Sequence, residues 1–289
     1  MKYYLLAAAS LAVSPAIQSQ KVNSQLKFEP GQVFEVTMQV KTTIAQQAMG
    51  QAIDFNVDAT GNHCFKVTNI NDDNSTLNHS VQRVAFAFDG MGQKRNFDSN
   101  NEKDLNGPFG KPVKDLLEKK YNMVIDPAGK TMMVIPEKVD SPNSDPRMAI
   151  ITTMIKDLFN LVQPPKKGAA SFFKVLPESE TGIGESWTES YTNETGKFDA
   201  AYSISNINDT TIVVDFATSS STVTKAEMMG NETITAMNHK STGKIILDRV
   251  TGIIKEKTET TESTGNTETS FGTLPVTSKT VTTITVKAN

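Results

Sequence analysis

Between residues 34 and 44 the chain alternates without a break. Phe34, Val36, Met38, Val40, Thr42 and Ile44 fall on one face of an extended strand, and Glu35, Thr37, Gln39, Lys41 and Thr43 on the other. Successive side chains of a strand point to opposite faces, so this pattern demands a sheet with one buried and one wet side. It repeats after the turn Met49-Gly50-Gln51, where Ile53, Phe55, Val57 and Ala59 alternate with Asp54, Asn56 and Asp58. The polar run Asn69 to Asn74 reads as the next turn. A third strand follows through Val81, Val84, Phe86 and Phe88, whose slip in phase predicts a bulge.

Residues 96–111 read as a loop and Pro112 to about Lys119 as a short helix with Pro at its first turn. Tyr121 to Ile125, the turn Asp126-Pro127-Ala128-Gly129 and Thr131 to Ile135 read as a hairpin. Strand patterns resume around Trp187, Tyr202 to Ile204, Ile212 to Phe216, Ile245 to Leu247 and Val281 to Val286. The Thr-rich runs 218–224 and 255–270 lack an apolar face and read as solvated outer portions of long hairpins.

One strong helical signal lies mid-chain, from Pro146 to Gln163. Asp145 caps it, Pro164-Pro165 stops it, and Met148, Ile151, Ile155, Leu158 and Val162 recur at three- and four-residue steps. The expected fold is mainly β (α+β): a large curved antiparallel sheet with this amphipathic helix packed on it. After a leader of residues 1–19, residues 20–289 form a single β-rich domain. Two lobes, 26–140 and 178–289, joined by the helical segment 141–177, are the alternative layout.

The leader reads as an export signal, with Lys2 as a positive n-region, an apolar stretch from Tyr3 to Ile17 and small residues at Ala16 and Ser19 as alternative cleavage points. Ser10, Ser14 and Pro15 interrupt it, so it falls short of a membrane span. The only Cys, Cys64, is far from that leader, which argues against a lipobox acylation site and forbids an intramolecular disulfide. The expected location is periplasmic or extracellular, in soluble form.

With 29 Lys and Arg against 32 Asp and Glu, the formal net charge of -3 gives no footprint for nucleic acid. The histidines His63, His79 and His239 have no metal-ligand spacing, so no metal is expected. His63 and Cys64 would face opposite ways in a strand and make a poor nucleophile–base pair. Asn71-Asp72-Asp73-Asn74 lacks the Gly and closing Glu of a calcium loop. Gly184-Glu185-Ser186-Trp187 lacks the second Gly of a nucleophile elbow, so Ser186 reads as structural and Trp187 as a core anchor. No phosphate-cradling loop precedes a helix, and no cofactor is expected. Asn-x-Ser/Thr sequons at Asn74, Asn78, Asn193, Asn208 and Asn231 leave glycosylation open.

Several short features occur together in order. They are Gln46-Gln47-Ala48-Met49-Gly50-Gln51 at the end of the first strand, the hairpin Tyr121 to Ile135, Gly184-Glu185-Ser186-Trp187, and Ser241-Thr242-Gly243 leading to Leu247-Asp248 and Thr251-Gly252. In this order the chain resembles an uncharacterised family of exported β-rich proteins from Bacteroidota-type bacteria. The resemblance implies an envelope or secreted protein and supplies no catalytic residue. A sheet with one apolar helix across it is also similar in architecture to the lipoprotein carriers of the periplasm.

Three functional readings follow. The first is a binding or protein-interaction module of the cell envelope, meeting an envelope protein through Thr-rich hairpins or free strand edges. The second is a carrier of a hydrophobic, lipid-like small molecule, held in a groove between Phe34, Val36, Met38 and Val40 on the sheet and Met148, Ile151, Ile155 and Leu158 on the helix. The third is a hydrolase using carboxylates such as Asp54, Asp58 and Asp98. The non-enzymatic readings are preferred.

Overall fold

The computed structural model describes residues 20–289 apart from 49–50, 91, 108, 140–154, 194–195, 229–230 and 271. Strand takes up 67% of the described residues and helix 6%, so the protein is mainly β. The long strands arise where the sequence alternates. β1 (Lys21–Val22) is followed by β2 (Val33–Ala48), β3 (Gln51–Asn71) and β4 (Asn74–Gly90) as an up-and-down meander. Asp72 and Asp73 both take positive φ, at 48° and 64°, which makes the β3–β4 connection a two-residue turn of the primed type that suits hairpin twist. The predicted bulge is present: His63 pairs Val81 and Asn62 pairs Arg83, leaving Gln82 as the extra residue.

β4 is so long that two strands share its far side. β5 (Gln93–Asp98) pairs its last residues, and β6 (Lys120–Ile125) pairs its first. Between them run α1 (Glu102–Leu105), capped by the Asn101 side chain, and α2 (Gly110–Leu117), which buries Val113 and Leu116. β7 (Thr131–Ile135) completes the hairpin with β6. Its turn needs Gly129: φ is +81°, and a Cβ there would lie 2.8 Å from the Lys174 Cβ.

The second half holds β8 (Thr181–Gly182), which pairs β1, then β9 (Ser186–Asn193), β10 (Gly196–Ile207), β11 (Thr211–Met228), β12 (Asn231–Asp248), β13 (Ile254–Thr269) and β14 (Gly272–Ala288). From β9 onward each strand pairs antiparallel with the next, and β14 then pairs β2 from Ala288–Phe34 to Val276–Gln46. The strand sets on either side of residues 141–177 thus meet in one open sheet of order β7-β6-β4-β3-β2-β14-β13-β12-β11-β10-β9, with β5 beside β4. The Thr-rich hairpins β11–β12 and β13–β14 are paired along their lengths.

One face of this sheet, the inner face, carries the core. One apolar cluster lies on β2 to β7 and a second on β10 to β13, with Phe172 and Val286 touching both. The return from edge β7 to edge β9 covers this base. Of the helix expected from Pro146 to Gln163, residues 146–154 lie outside the described residues, and the described remainder shows a 3-10 turn, Lys156–Phe159. Ile155, Leu158 and Val162 nevertheless point into the core as the spacing predicts. Phe173 plugs an aromatic knot, with ring centroids 5.5 Å from Phe28, 5.5 Å from Phe34 and 5.2 Å from Phe65.

The N-terminal segment straps the same end. Ser24 N–H donates to the Pro177 carbonyl, Leu26 N–H to Pro127 and Lys27 N–H to Thr251, tying the return segment and two hairpin turns together. Phe173 is fully buried, and its truncation should leave a cavity where return and sheet meet. Phe173→Ala is expected to cost ~3–5 kcal/mol in urea denaturation. A loss below ~1 kcal/mol would mean that the return segment is not part of the cooperative core.

Candidate functional site

The groove residues expected from sequence are brought together in part. Phe34, Val36, Met38 and Val40 share the inner face of β2, and Ile155 and Leu158 belong to the same core cluster. Gly61, opposite Met38, makes room for Leu158: a Cβ there would lie 3.4 Å from its Cδ2. Met148 and Ile151 lie outside the described residues. The six described side chains are at most 4% exposed, so they form dry packing at the base of the sheet and present no open lining there.

Beside them sits a buried polar column that the spacing of His63 and His79 gave no hint of. The bulged β3–β4 register places both imidazoles on the inner face, stacked at 5.3 Å, with Tyr121 of β6 stacked at 4.6 Å on His79. His63 Nε2 lies 3.1 Å from the Leu158 carbonyl, and His63 Nδ1 lies 3.1 Å from His79 Nε2. A carbonyl only accepts, so His63 donates from Nε2 and receives the Nε2 proton of His79 at Nδ1. The Tyr121 hydroxyl donates to the Leu161 carbonyl at 3.1 Å. Two backbone carbonyls of the return segment are thereby held to the sheet.

Burial holds both imidazoles neutral. His63 is pushed down to about 4, the Leu158 contact opposing burial. His79 is pushed down to about 3 by burial and by the neighbouring His63.

Beyond the base, the pairing register arranges the inner face in rows that cross the sheet. One row runs Tyr191, Phe198, Ser220, His239, Ser263, Ser278 from β9 to β14. It continues as Ile44 and Phe55 on β2 and β3. The adjacent row nearer the base runs Thr218, Ser241, Thr261, Thr280, Thr42 and then Val57 and Phe88. Hydroxyls thus occupy the level from β11 to β2, and apolar side chains the same level on β3 and β4.

The hydroxyls bond sideways. Ser241 and Thr261 are 2.8 Å apart, Thr42 and Thr280 3.1 Å, and His239 reaches Ser263 with Nδ1 at 2.7 Å and Thr222 with Nε2 at 3.1 Å. Thr218, Ser220 and Ser278 are half-buried, as are Ile44 and Phe88, whereas Thr42, Ser241, Ser263, Phe55 and Val57 in the same rows are buried. A surface of this kind offers hydroxyl donors and acceptors beside an apolar wall.

The edge strand β9 adds aromatic rings. Trp187 stacks on Tyr202 at 5.3 Å, and Tyr191 on Phe198 at 4.7 Å. Gly243 lets the Phe216 ring lie across β12, with a notional Cβ only 2.5 Å from its Cζ. Lys257 sits 4.8 Å above that ring and pairs with Glu259 at 2.8 Å. The Trp187 Nε1 is buried and has no hydrogen-bond partner among the described residues.

The outer face is mostly polar, with Val213, Ile246, Val223 and Val281 among its apolar positions. A depression of about 470 Å³ is lined there by Lys41, Asn56, Asp58, Asp89, Lys94 and Asn96, and Lys41–Asp58 and Lys94–Asp89 are ion pairs at 3.2 and 3.1 Å. Asp58 and Asp98, two of the carboxylates considered for hydrolysis, therefore each have a basic partner. Asp98 takes a two-pronged contact from Arg83 that holds its carboxyl below the usual range. Asp54 lies two residues from Asn56 on that outer face. Among the described residues no group of three or more His, Cys, Asp or Glu could hold a metal ion, and no helix is long and apolar enough to cross a membrane.

The histidine column has a direct consequence for stability. Unfolded imidazoles titrate near ~6.5, while the folded ones resist protonation until far lower. Between those values the unfolded state binds more protons, so stability is full above ~6.5 and falls as the pH drops toward about 4. Urea midpoints from pH 7.5 to 5 should fall with a slope approaching two protons, and His79→Phe should flatten it. A flat profile in the parent protein over that range would contradict the burial of the pair.

A search of curated proteins found no match. Among solved structures, the chain is similar to that described as "lipid-protein interactions in lipovitellin", with 12% identity and a TM-score of 0.44 over 91% of this chain and 26% of that one. The chain thus spans about a quarter of the lipovitellin chain. It is also similar to the COG4313 outer membrane channel from Pseudomonas putida F1, with 6% identity and a TM-score of 0.26 over 95% of this chain and 100% of the other. Salmonella typhi OmpF, in complex with daunomycin, follows at 10% identity and a TM-score of 0.27 over 92% and 100%. Likenesses of this size reflect long antiparallel strands and say nothing of a ligand. The model of a family of unknown function, DUF6263, matches residues 72–254, from the turn after β3 to the start of β13. The chain belongs to the DUF6263 family.

Proposed function

We propose that this is an exported, non-enzymatic binding protein of the cell envelope whose ligand is amphipathic and lies along the inner face above the core. The observation that carries this reading is the change of chemistry along one level of the sheet. Thr280 and Thr42 end a run of hydroxyls, and Val57 and Phe88 begin an apolar wall in the same row. Phe55 and Val57 are buried, so an apolar chain would lie against the half-buried Ile44 and Phe88 that flank them and remove hydrocarbon from water there, while its polar end would meet the half-buried hydroxyls of Thr218, Ser220 and Ser278. The closed base supplies a rigid floor for this surface. Export follows from the leader of residues 1–19, with a mature chain beginning at Gln20.

A second reading, an envelope-protein partner, is favoured by an asymmetry between the sheet edges. The outer edge of β7 is occupied by the chain itself, through Thr131 N–H to Ala169 and Gly168 N–H to Thr131. The outer edge of β9 has no strand partner among the described residues, and a free edge accepts an added strand.

Native mass spectrometry of protein purified from its own export compartment, followed by organic extraction, separates the readings. A stoichiometric amphipathic adduct on a chain starting at Gln20 is the expected result. A clean apo mass with cross-links to a partner concentrated on residues 186–193 would replace it with the edge reading, and recovery of the chain with its leader intact in the cytoplasm would contradict export.

A further inference from the structure

The geometry points to a sugar as the polar part of that ligand, so that the protein binds a glycosylated amphiphile; this rests on the amphipathic reading above and deepens it. The inner row Ser220, His239, Ser263, Ser278 is a stretch of polar side chains on four adjacent strands, spanning about 14 Å at the usual strand spacing. That is the length of one or two hexose rings. Each hydroxyl has one donor and two acceptor sites, and Ser220 and Ser278, half-buried on either side of the His239–Ser263 contact, are the ones this row turns toward a ligand.

At one end of this stretch stand Phe198 and Tyr191. β9 is the edge strand, so Tyr191 stacks on Phe198 with one ring face and turns the other to solvent, with 59% of its surface exposed. A flat aromatic face beside hydroxyls matches a pyranose, which has an apolar C–H face and a rim of hydroxyls. At the other end of the polar stretch come Ile44 and Phe55, where the hydrocarbon would begin. A phosphate head group would call for clustered basic side chains, but Lys257 on β13 is paired with Glu259, and Arg95, which the register sets beside Phe88 on this face, stands apart from it on β5. Stacking and hydroxyl contacts are offered by any β-linked hexopyranose, so a common alkyl maltoside is a sufficient probe.

Trp187 is the only tryptophan of the chain and lies on this face, so its emission reports occupancy directly. Titrations of the full mature protein use dodecyl β-D-maltoside, dodecyl dimethylamine oxide with the same chain and no sugar, and maltose with no chain, each below micelle formation. The expected result is an emission shift with the maltoside at an affinity at least about tenfold tighter than for the amine oxide. Tyr191→Ala should weaken the maltoside about tenfold and leave the amine oxide unchanged, Tyr191→Phe should restore it, and Thr192→Ala on the outer face should change neither. Equal or tighter binding of the amine oxide, or equal weakening of both by Tyr191→Ala at unchanged melting temperature, would overturn the sugar and leave the amphipathic reading standing. Maltose binding as tightly as its dodecyl glycoside would keep the sugar and overturn the amphipathic reading. Absence of binding by all three would overturn both.

Discussion

The pairing of β2 with β14 is the contact on which the rest of the sheet depends. It joins the first long strand to the last, from Phe34–Ala288 to Gln46–Val276, and so turns two separate meanders into one sheet. Its backbone hydrogen bonds are each worth about 1 kcal/mol net. Their larger effect is on register. A slip of one residue would move Val36, Met38 and Val40 from the core to the wet face and break every inner row that crosses from β13 to β3. Burial of Val36 and Val40, both at 0% exposure, strongly disfavours that slip.

With the register set, the strand lengths determine the rest. β11 to β14 and β2 to β4 are long, and the described buried apolar side chains of the return segment pack into the two apolar clusters. The inner face therefore changes along the strands. Near the base it is apolar and dry, locked by Phe173 and by the His63–His79–Tyr121 column. Farther along, on β11 to β14, it turns to Thr and Ser, half-buried or buried, whose hydroxyls satisfy each other across strands. On β3 and β4 it stays apolar with Phe55 and Phe88. That division within one face is a structural fact, and the binding proposals draw on it.

How much of this could be read from the sequence depended on how local the signal was. The alternation of β2, the turn at Asp72-Asp73, the β6–β7 hairpin and the bulge near Gln82 are neighbour effects, legible within a few residues. The stripe through Ile155, Leu158 and Val162 correctly marked the side of the return that is buried. Three- and four-residue steps fit a 3-10 turn nearly as well as a helix over so short a stretch, however, and Lys156–Phe159 takes the tighter form. The histidine column and the hydroxyl rows were not legible. His63 and His79 meet in the stretch of β3–β4 register set between two irregularities, at Thr68 and at Gln82. Ser220, His239, Ser263 and Ser278 are scattered through Thr-rich stretches that look featureless in one dimension, and become a surface only when four strands are paired in register. Trp187 was recognised as an anchor, but its place at an open edge beside Tyr191 depended on the sheet order.

The claim that β2 and β14 make the sheet a single unit is tested most directly by hydrogen–deuterium exchange of the native protein, read peptide by peptide. The account predicts that amides of residues 34–46 and 276–288 exchange together and as slowly as those of β3 and β13, through global unfolding alone. Fast exchange confined to β2 and β14, with β3–β4 and β11–β12 each protected at its own separate level, would show two halves that open independently and would contradict it.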